Sequence, residues 1–252
     1  MSQKQPDPMA MDDFLAEMEA IRESAIEDIA SGNRGRPPFG INPDASEASK
    51  RPEVIFFVQL GVYPEWREVH FLSRQIQRVD DANLMCRIAE QIHDEARHTK
   101  VLRDQLTVWG ADPDRFWTEP IFQWSAAFDY MDKLTSPVEY FACSNFIGEG
   151  LFLPTIMKPM AKYDKETFNV YVEHIMPDEP RHIAIGRDVI AKYCTTHDIQ
   201  QRVLKVASTL AKQYVIGFEA ACLFASRAKN GDDPGKLRDG RVILELHKEV
   251  ID

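Results

Sequence analysis

Apolar positions recur at helical spacing in several long blocks of this chain, and no block alternates with the period of a strand. The first block, residues 9–31, sets Phe14, Met18, Ile21, Ala25 and Ile29 on one face and stops at Gly32-Asn33. Residues 34–51 are rich in Pro, Gly, Asn and Ser and read as a loop, either on the surface or as an arm over a neighbouring subunit. A helix over 54–79 follows, with a start or kink at Pro64. Asp80-Asp81 turns the chain into a helix over 82–109, which Gly110 and Pro113 stop. Residues 111–135, with Trp117, Phe122, Trp124 and Phe128, read as a crossover with some helix. Ser136-Pro137-Val138-Glu139 is a capping box with Pro at the first helical position. It opens a helix to about residue 161, interrupted by Pro154 and Pro159. After a turn at 163–165, residues 166–193 form a further helix carrying Pro177 and Pro180, and 198–229 a fifth long one. Gly231 to Gly235 break that helix, and the last seventeen residues read as a short, weakly held element. The pattern predicts an all-α chain folded as one domain over 1–252. Its core helices span about 54–193, with an N-terminal helix and loop over 9–52 and a fifth helix and tail over 198–252.

Composition narrows the partners. Hydrophobic residues make up 44% of the 252, enough for a sizeable core. Lys and Arg total 30 against 40 Asp and Glu, a formal charge of −10. That balance argues against nucleic acid or an anionic membrane as partner. The polar start of the chain has no apolar signal core. The longest apolar run, 54–62, broken by Gln59 and Gly61, falls short of the roughly 20 residues of a membrane span. Cys86, Cys143, Cys194 and Cys222 have neither zinc-site nor disulfide spacing, and as reduced thiols they point to a cytoplasmic protein.

The candidate chemistry lies in a repeated motif. Asp94-Glu95-Ala96-Arg97-His98 returns as Asp178-Glu179-Pro180-Arg181-His182. A Glu and a His three residues apart share a helix face. A Glu-x-x-His from each of two helices, joined by one Glu from each of two others, is the ligand set of a dinuclear site in a helical bundle. In an antiparallel helix pair, level residues sit equally far from the turn. Reflection about Asp80 carries Glu95 onto Glu65, and reflection about Asp164 carries Glu179 onto Glu149. Each Glu interrupts an apolar stripe; Glu68, at the edge of its stripe, is the rival to Glu65. Two divalent cations would balance four carboxylates and two neutral imidazoles. Oxygen-rich ligation with imidazole suits iron or manganese, and the lack of Cys ligands argues against structural zinc. Asp94 and Asp178 are placed to take the other N–H of the opposite copy's His. Arg97 and Arg181 would hold those carboxylates, or form ordinary surface ion pairs.

The doubled Asp-Glu-x-Arg-His, over roughly 64–193, resembles the ferritin-like di-iron carboxylate superfamily. Within it, the motif resembles the oxygenase branch: bacterial multicomponent monooxygenase hydroxylases, phenylacetyl-CoA epoxidase and arylamine N-oxygenase-like proteins. The resemblance implies a ferritin-like four-helix bundle with additional terminal helices. It implies two Fe ions, or a Mn/Fe or di-Mn pair, held by Glu65, Glu95, His98, Glu149, Glu179 and His182. Asp94, Arg97, Asp178 and Arg181 would form the layer around them. The implied activity is that of a non-haem di-iron monooxygenase that activates O2 to hydroxylate, epoxidise or N-oxygenate a small hydrophobic or aromatic substrate. Such an enzyme needs an electron-donating reductase or ferredoxin, and a homodimer is expected. A ferroxidase or peroxide scavenger, and a non-catalytic oxygenase subunit, are the alternatives. The chain departs from the families it resembles by Leu102 in place of a radical-bearing Tyr, Leu153 in place of a Thr and Ile175 in place of a third His. Gly148 and Gly150 beside Glu149 would leave room at the metals or allow tight helix packing. Pro154, Pro177 and Pro180 are expected to remove helical hydrogen bonds near the ligands. Phe146, Phe152, Ile175, Met176 and Ile183 are candidates for an apolar pocket or for plain core.

Overall fold

The amphipathic blocks fold as helices in the computed structural model, which describes residues 6–31, 46–229 and 231–245. Helix α1 (Met11–Ser31) buries Phe14, Leu15, Met18, Ala25 and Ile29, and packs on α11 (His197–Lys229). Helix α2 (Glu47–Gln75) tightens into a 3₁₀ turn at Ile76–Arg78 and reverses into α3 (Ala82–Val108). Asp81 caps α3 by accepting from the Leu84 N–H at 3.0 Å. The two helices pack along each other as a hairpin.

Helix α2 starts earlier than the sequence pattern indicates: residues 47–51 are helical, and the helix runs through both Pro52 and Pro64. Tertiary contacts hold this first turn. Arg51 pairs with Glu166 at 2.8 Å and lies over the Trp109 ring, while buried Lys50 lies over the Tyr163 ring. The remainder of the expected loop, 34–45, lies outside the described residues.

The crossover contains α4 (Arg115–Thr118) and α5 (Phe122–Asp132), the latter lying on α11. Ser136 then caps α6 (Pro137–Phe141), accepting from the Glu139 N–H. The helical path continues through a π-helical stretch at Ala142–Gly148, α7 (Glu149–Phe152), a second π-helical stretch at Leu153–Met157 and α8 (Lys158–Tyr163). Pro154 lies in the second widened stretch. Asp164 caps α9 (Lys165–His174) by accepting from the Thr167 N–H at 2.9 Å.

The helix expected over 166–193 is two helices. The chain leaves α9 at Ile175 (φ −118°) and restarts at Glu179 as α10 (Glu179–Tyr193). Pro177 lies in the break. Pro180 sits in the first turn of α10, where its missing N–H has no helical acceptor, so it removes no helical bond, contrary to the sequence expectation. Helix α10 packs against the first π-helical stretch and touches α3. This joins the α2–α3 hairpin to the 137–193 segment.

The sequence reading also missed a small hairpin. Strands β1 (Lys236–Arg238) and β2 (Arg241–Ile243) pair antiparallel around Asp239-Gly240, both at positive φ. Asp-Gly suits that two-residue turn. The Val242 N–H donates to Pro120 O at 3.0 Å, fastening the hairpin to the start of α5. Otherwise the described residues are overwhelmingly helical. None of their helices is long and apolar enough to cross a membrane.

Candidate metal centre

Four carboxylates enter one buried space from four helical segments: Glu65 from α2, Glu95 from α3, Glu149 at the start of α7 and Glu179 at the start of α10. His98 and His182 follow their glutamates by about one turn, and both rings are fully enclosed, with centroids 6.0 Å apart. Donor atoms of Glu65, Glu95 and His98 converge within 4.8 Å, and so do those of Glu95, Glu149 and His182. Glu95 belongs to both groups. Its Oε2 lies 3.4 Å from His98 Nδ1 and its Oε1 3.2 Å from His182 Nδ1. His98 Nδ1 lies 3.2 Å from Glu65 Oε2. Glu179 lies outside both groups and contacts Glu149 carboxyl to carboxyl.

The outward nitrogens fix the rings. His98 Nε2 lies 3.2 Å from Asp178 Oδ2, and His182 Nε2 3.4 Å from Asp94 Oδ2, so each copy's Asp serves the other copy's His. Asp178 also pairs with Arg97 and Arg181, and Arg181 reaches Asp94 at 3.1 Å. With Nε2–H held by the aspartates, each Nδ1 faces the carboxylates, where it would offer its lone pair to a bound metal. Asp178 sits at the N-cap of α10 but makes no side-chain cap, because its carboxylate is given to His98 and the arginines.

The electrostatics call for positive charge. Burial, reinforced by the Glu149 charge, raises Glu95 and Glu179 well above the carboxylate range. Burial also acts on Glu149, but contacts with Glu179 and His182 outweigh it and hold Glu149 down to about 2. Burial disfavours both imidazoliums, yet Glu65 and Glu95 hold His98 up to about 11, and Glu149 and Glu95 hold His182 up to about 9. Buried Glu179 Oε2 has no hydrogen-bond partner, and His182 Nδ1 meets Glu95 Oε1 at 3.2 Å without hydrogen-bond alignment. A divalent cation among these donors would satisfy both, and the oxygen and imidazole donor set fits iron or manganese.

Glu68 is placed apart from the two groups. It is buried and accepts hydrogen bonds from Tyr140 Oη and, at 2.7 Å, from Ser144 Oγ. Burial, with the Glu149 charge, raises it to about 7. Glu65, Glu68, Glu95 and Glu149 line one end of a cavity of roughly 730 Å³, its mouth included. Its walls are largely apolar, with Phe57, Leu60, Trp124, Phe128, Leu151 and Phe152 among them. Of the five pocket candidates read from the sequence, Phe152 alone lines this cavity. Phe146 lies beneath the Arg22 guanidinium instead, and Ile175 is sealed in the core. The glycines beside Glu149 serve close packing: a Cβ on Gly150 would stand 2.6 Å from Arg22 Cδ, and one on Gly148 3.0 Å from Tyr214 Oη.

Two polar residues at the cluster escaped the sequence reading. Gln91 Nε2 donates to Glu95 Oε1 at 3.0 Å and to Glu149 Oε1 at 3.3 Å. Asn145 Nδ2 donates to Gln91 Oε1 at 2.8 Å and to the His182 carbonyl at 2.9 Å. Each stands one helical turn before a cluster glutamate, and an amide on an otherwise apolar face was the available signal. Among known proteins, no family model matches this chain and no curated protein matches it.

Proposed function

We propose that this protein is a ferritin-like di-metal carboxylate oxygenase that oxidises a small apolar or aromatic molecule with O2. The observation that carries the reading is the convergence of Glu65, Glu95 and His98 with Glu149 and His182 around a shared Glu95, beside an apolar cavity. Glu65, Glu95, His98, Glu149, Glu179 and His182 would hold two iron ions, or a manganese–iron or di-manganese pair. Bound there, the pair would supply redox capacity and open coordination positions for O2. Asp94 and Asp178, tied by Arg97 and Arg181, keep both imidazoles turned with Nδ1 inward. The cavity wall excludes water and presents an apolar substrate to the cluster. In monooxygenation one oxygen atom enters the substrate and the other leaves as water, which requires two electrons and two protons from outside. A separate reductase or ferredoxin would deliver the electrons. Cytoplasmic, homodimeric action is the matching cellular setting.

The test is anaerobic loading with Fe(II) followed by O2 uptake. The reading expects sustained uptake only when a chemical or protein reductant and an apolar substrate are both present, and expects Glu95→Ala to abolish it. Rapid oxidation of many Fe(II) per chain without substrate would favour a ferroxidase. No metal uptake at all would end the proposal.

A further inference from the structure

The doubled motif makes the two halves of the site look equivalent, and the residues one turn before each glutamate break that equivalence. Gln91 precedes Glu95, and Ile175 holds the matching place before Glu179. Asn145 precedes Glu149, and Gly61 holds the matching place before Glu65. The amides therefore gather on one side. Gln91 ties together Glu95 Oε1 and Glu149 Oε1, the oxygens that face His182. Asn145 orients Gln91 and fastens it to the His182 backbone. No amide touches the Glu65 and His98 carboxylate–imidazole contacts among the described residues, and a Cβ in place of Gly61 would stand 3.1 Å from Tyr171 Oη.

We infer that Gln91, held by Asn145, is a positioning residue that makes the two metal positions unequal. The position at Glu149 and His182 has its carboxylates aligned before an ion arrives, so it binds tightly and fills first. The position at Glu65 and His98 has no amide holding its contacts in this way, so it fills second and exchanges. The inference rests on the di-metal reading. Hydrogen-bonded neighbours of ligands change metal affinity about 10–100-fold, which is the effect expected of Gln91.

Mn(II) alone is the probe, titrated into the metal-free protein and followed by the loss of free-ion paramagnetic resonance. Single-position proteins separate the sites: His98→Ala keeps the Glu149 side, and His182→Ala keeps the Glu65 side. Gln91→Met preserves bulk and removes the donor. In the His98→Ala protein it is expected to weaken Mn(II) binding by about tenfold or more, and in the His182→Ala protein by less than about threefold. Asn145→Ser should act in the same direction with a smaller effect, and serves if Gln91→Met does not fold. A uniform loss in both backgrounds is what mere structural damage would give. That result, or no loss in either, would overturn the inference while two-ion binding by the unmodified protein left the di-metal reading standing. Failure of the unmodified protein to bind Mn(II) or Fe(II) would instead remove both.

Discussion

Replacing Glu68 with Gln should change how the stability of the metal-free protein depends on pH. Glu68 is buried, and burial with the nearby Glu149 charge raises its carboxyl from the ordinary 4.5 to about 7. The unfolded chain would ionise it near 4.5. Below that value both states hold the proton and Glu68 carries no ionisation penalty. Between 4.5 and about 7 the unfolded state loses its proton while the folded state keeps it, so stability falls as pH rises. Above about 7 the loss is complete. The gap corresponds to about 3 kcal/mol. Gln cannot ionise, so Glu68→Gln loses this decline. It also introduces a fixed defect, because Tyr140 Oη and Ser144 Oγ both donate to Glu68 and Gln offers one acceptor oxygen. That defect does not depend on pH. Urea unfolding of both proteins under chelator, from about pH 5 to about pH 8.5, separates the two effects. The stability of the variant relative to the parent should rise by about 2.5 kcal/mol across the range. A difference constant to within about 0.5 kcal/mol would refute the reasoning.

Asp178→Asn keeps its shape but removes the charge opposite His98 Nε2, and should lower affinity for the metal pair by about 10–100-fold, read as metal retained after dialysis against graded chelator. Protons compete with the ions, because the metal-free protein holds His98 protonated to about 11 and His182 to about 9. Apparent affinity should therefore rise from pH 6 to 8 with release of at least two protons, measured by calorimetry in buffers of different ionisation enthalpy. Gly186→Ala would set a Cβ 2.9 Å from Phe141 O, Phe146 N and Asn145 Cβ, two of them backbone atoms that cannot yield. A loss of about 1–3 kcal/mol in denaturant unfolding is expected, despite the better helix propensity of Ala.

The helical character and the convergence of the cluster were legible because both depend on periodicity. Helix turns at Asp80-Asp81 and Asp164 place level residues by arithmetic, and the structure brings Glu65 against Glu95 and Glu149 against Glu179. Glu65 and Glu68 were harder to separate, since each lies near the same face. Their roles diverge because Tyr140 and Ser144 donate to Glu68, and those partners come from a helix far along the chain. The same limit hid Gln91 and Asn145, which meet each other, Glu149 and the His182 carbonyl only once the helices pack. The start of α2 was misplaced because composition described 47–51 as loop, while Arg51 and Lys50 hold it through Glu166, Trp109 and Tyr163. The break before α10 was treated as a distortion within one helix. Asp178 instead leaves its capping duty to hold His98, and the chain restarts at Glu179. The terminal hairpin carried a readable Asp239-Gly240 turn, but its three-residue strands are too short to alternate visibly.

Metal content decides whether the buried cluster is a dinuclear centre. Protein purified without chelator, and protein reconstituted anaerobically with Fe(II) or Mn(II), should each be analysed by elemental mass spectrometry beside Glu65→Ala and Glu95→Ala. Close to two ions per chain are predicted for the unmodified protein, close to one for Glu65→Ala, and fewer for Glu95→Ala because Glu95 serves both positions. A folded protein that takes up no iron or manganese, or equal retention in all three proteins, would contradict the centre proposed for Glu65, Glu95, His98, Glu149, Glu179 and His182.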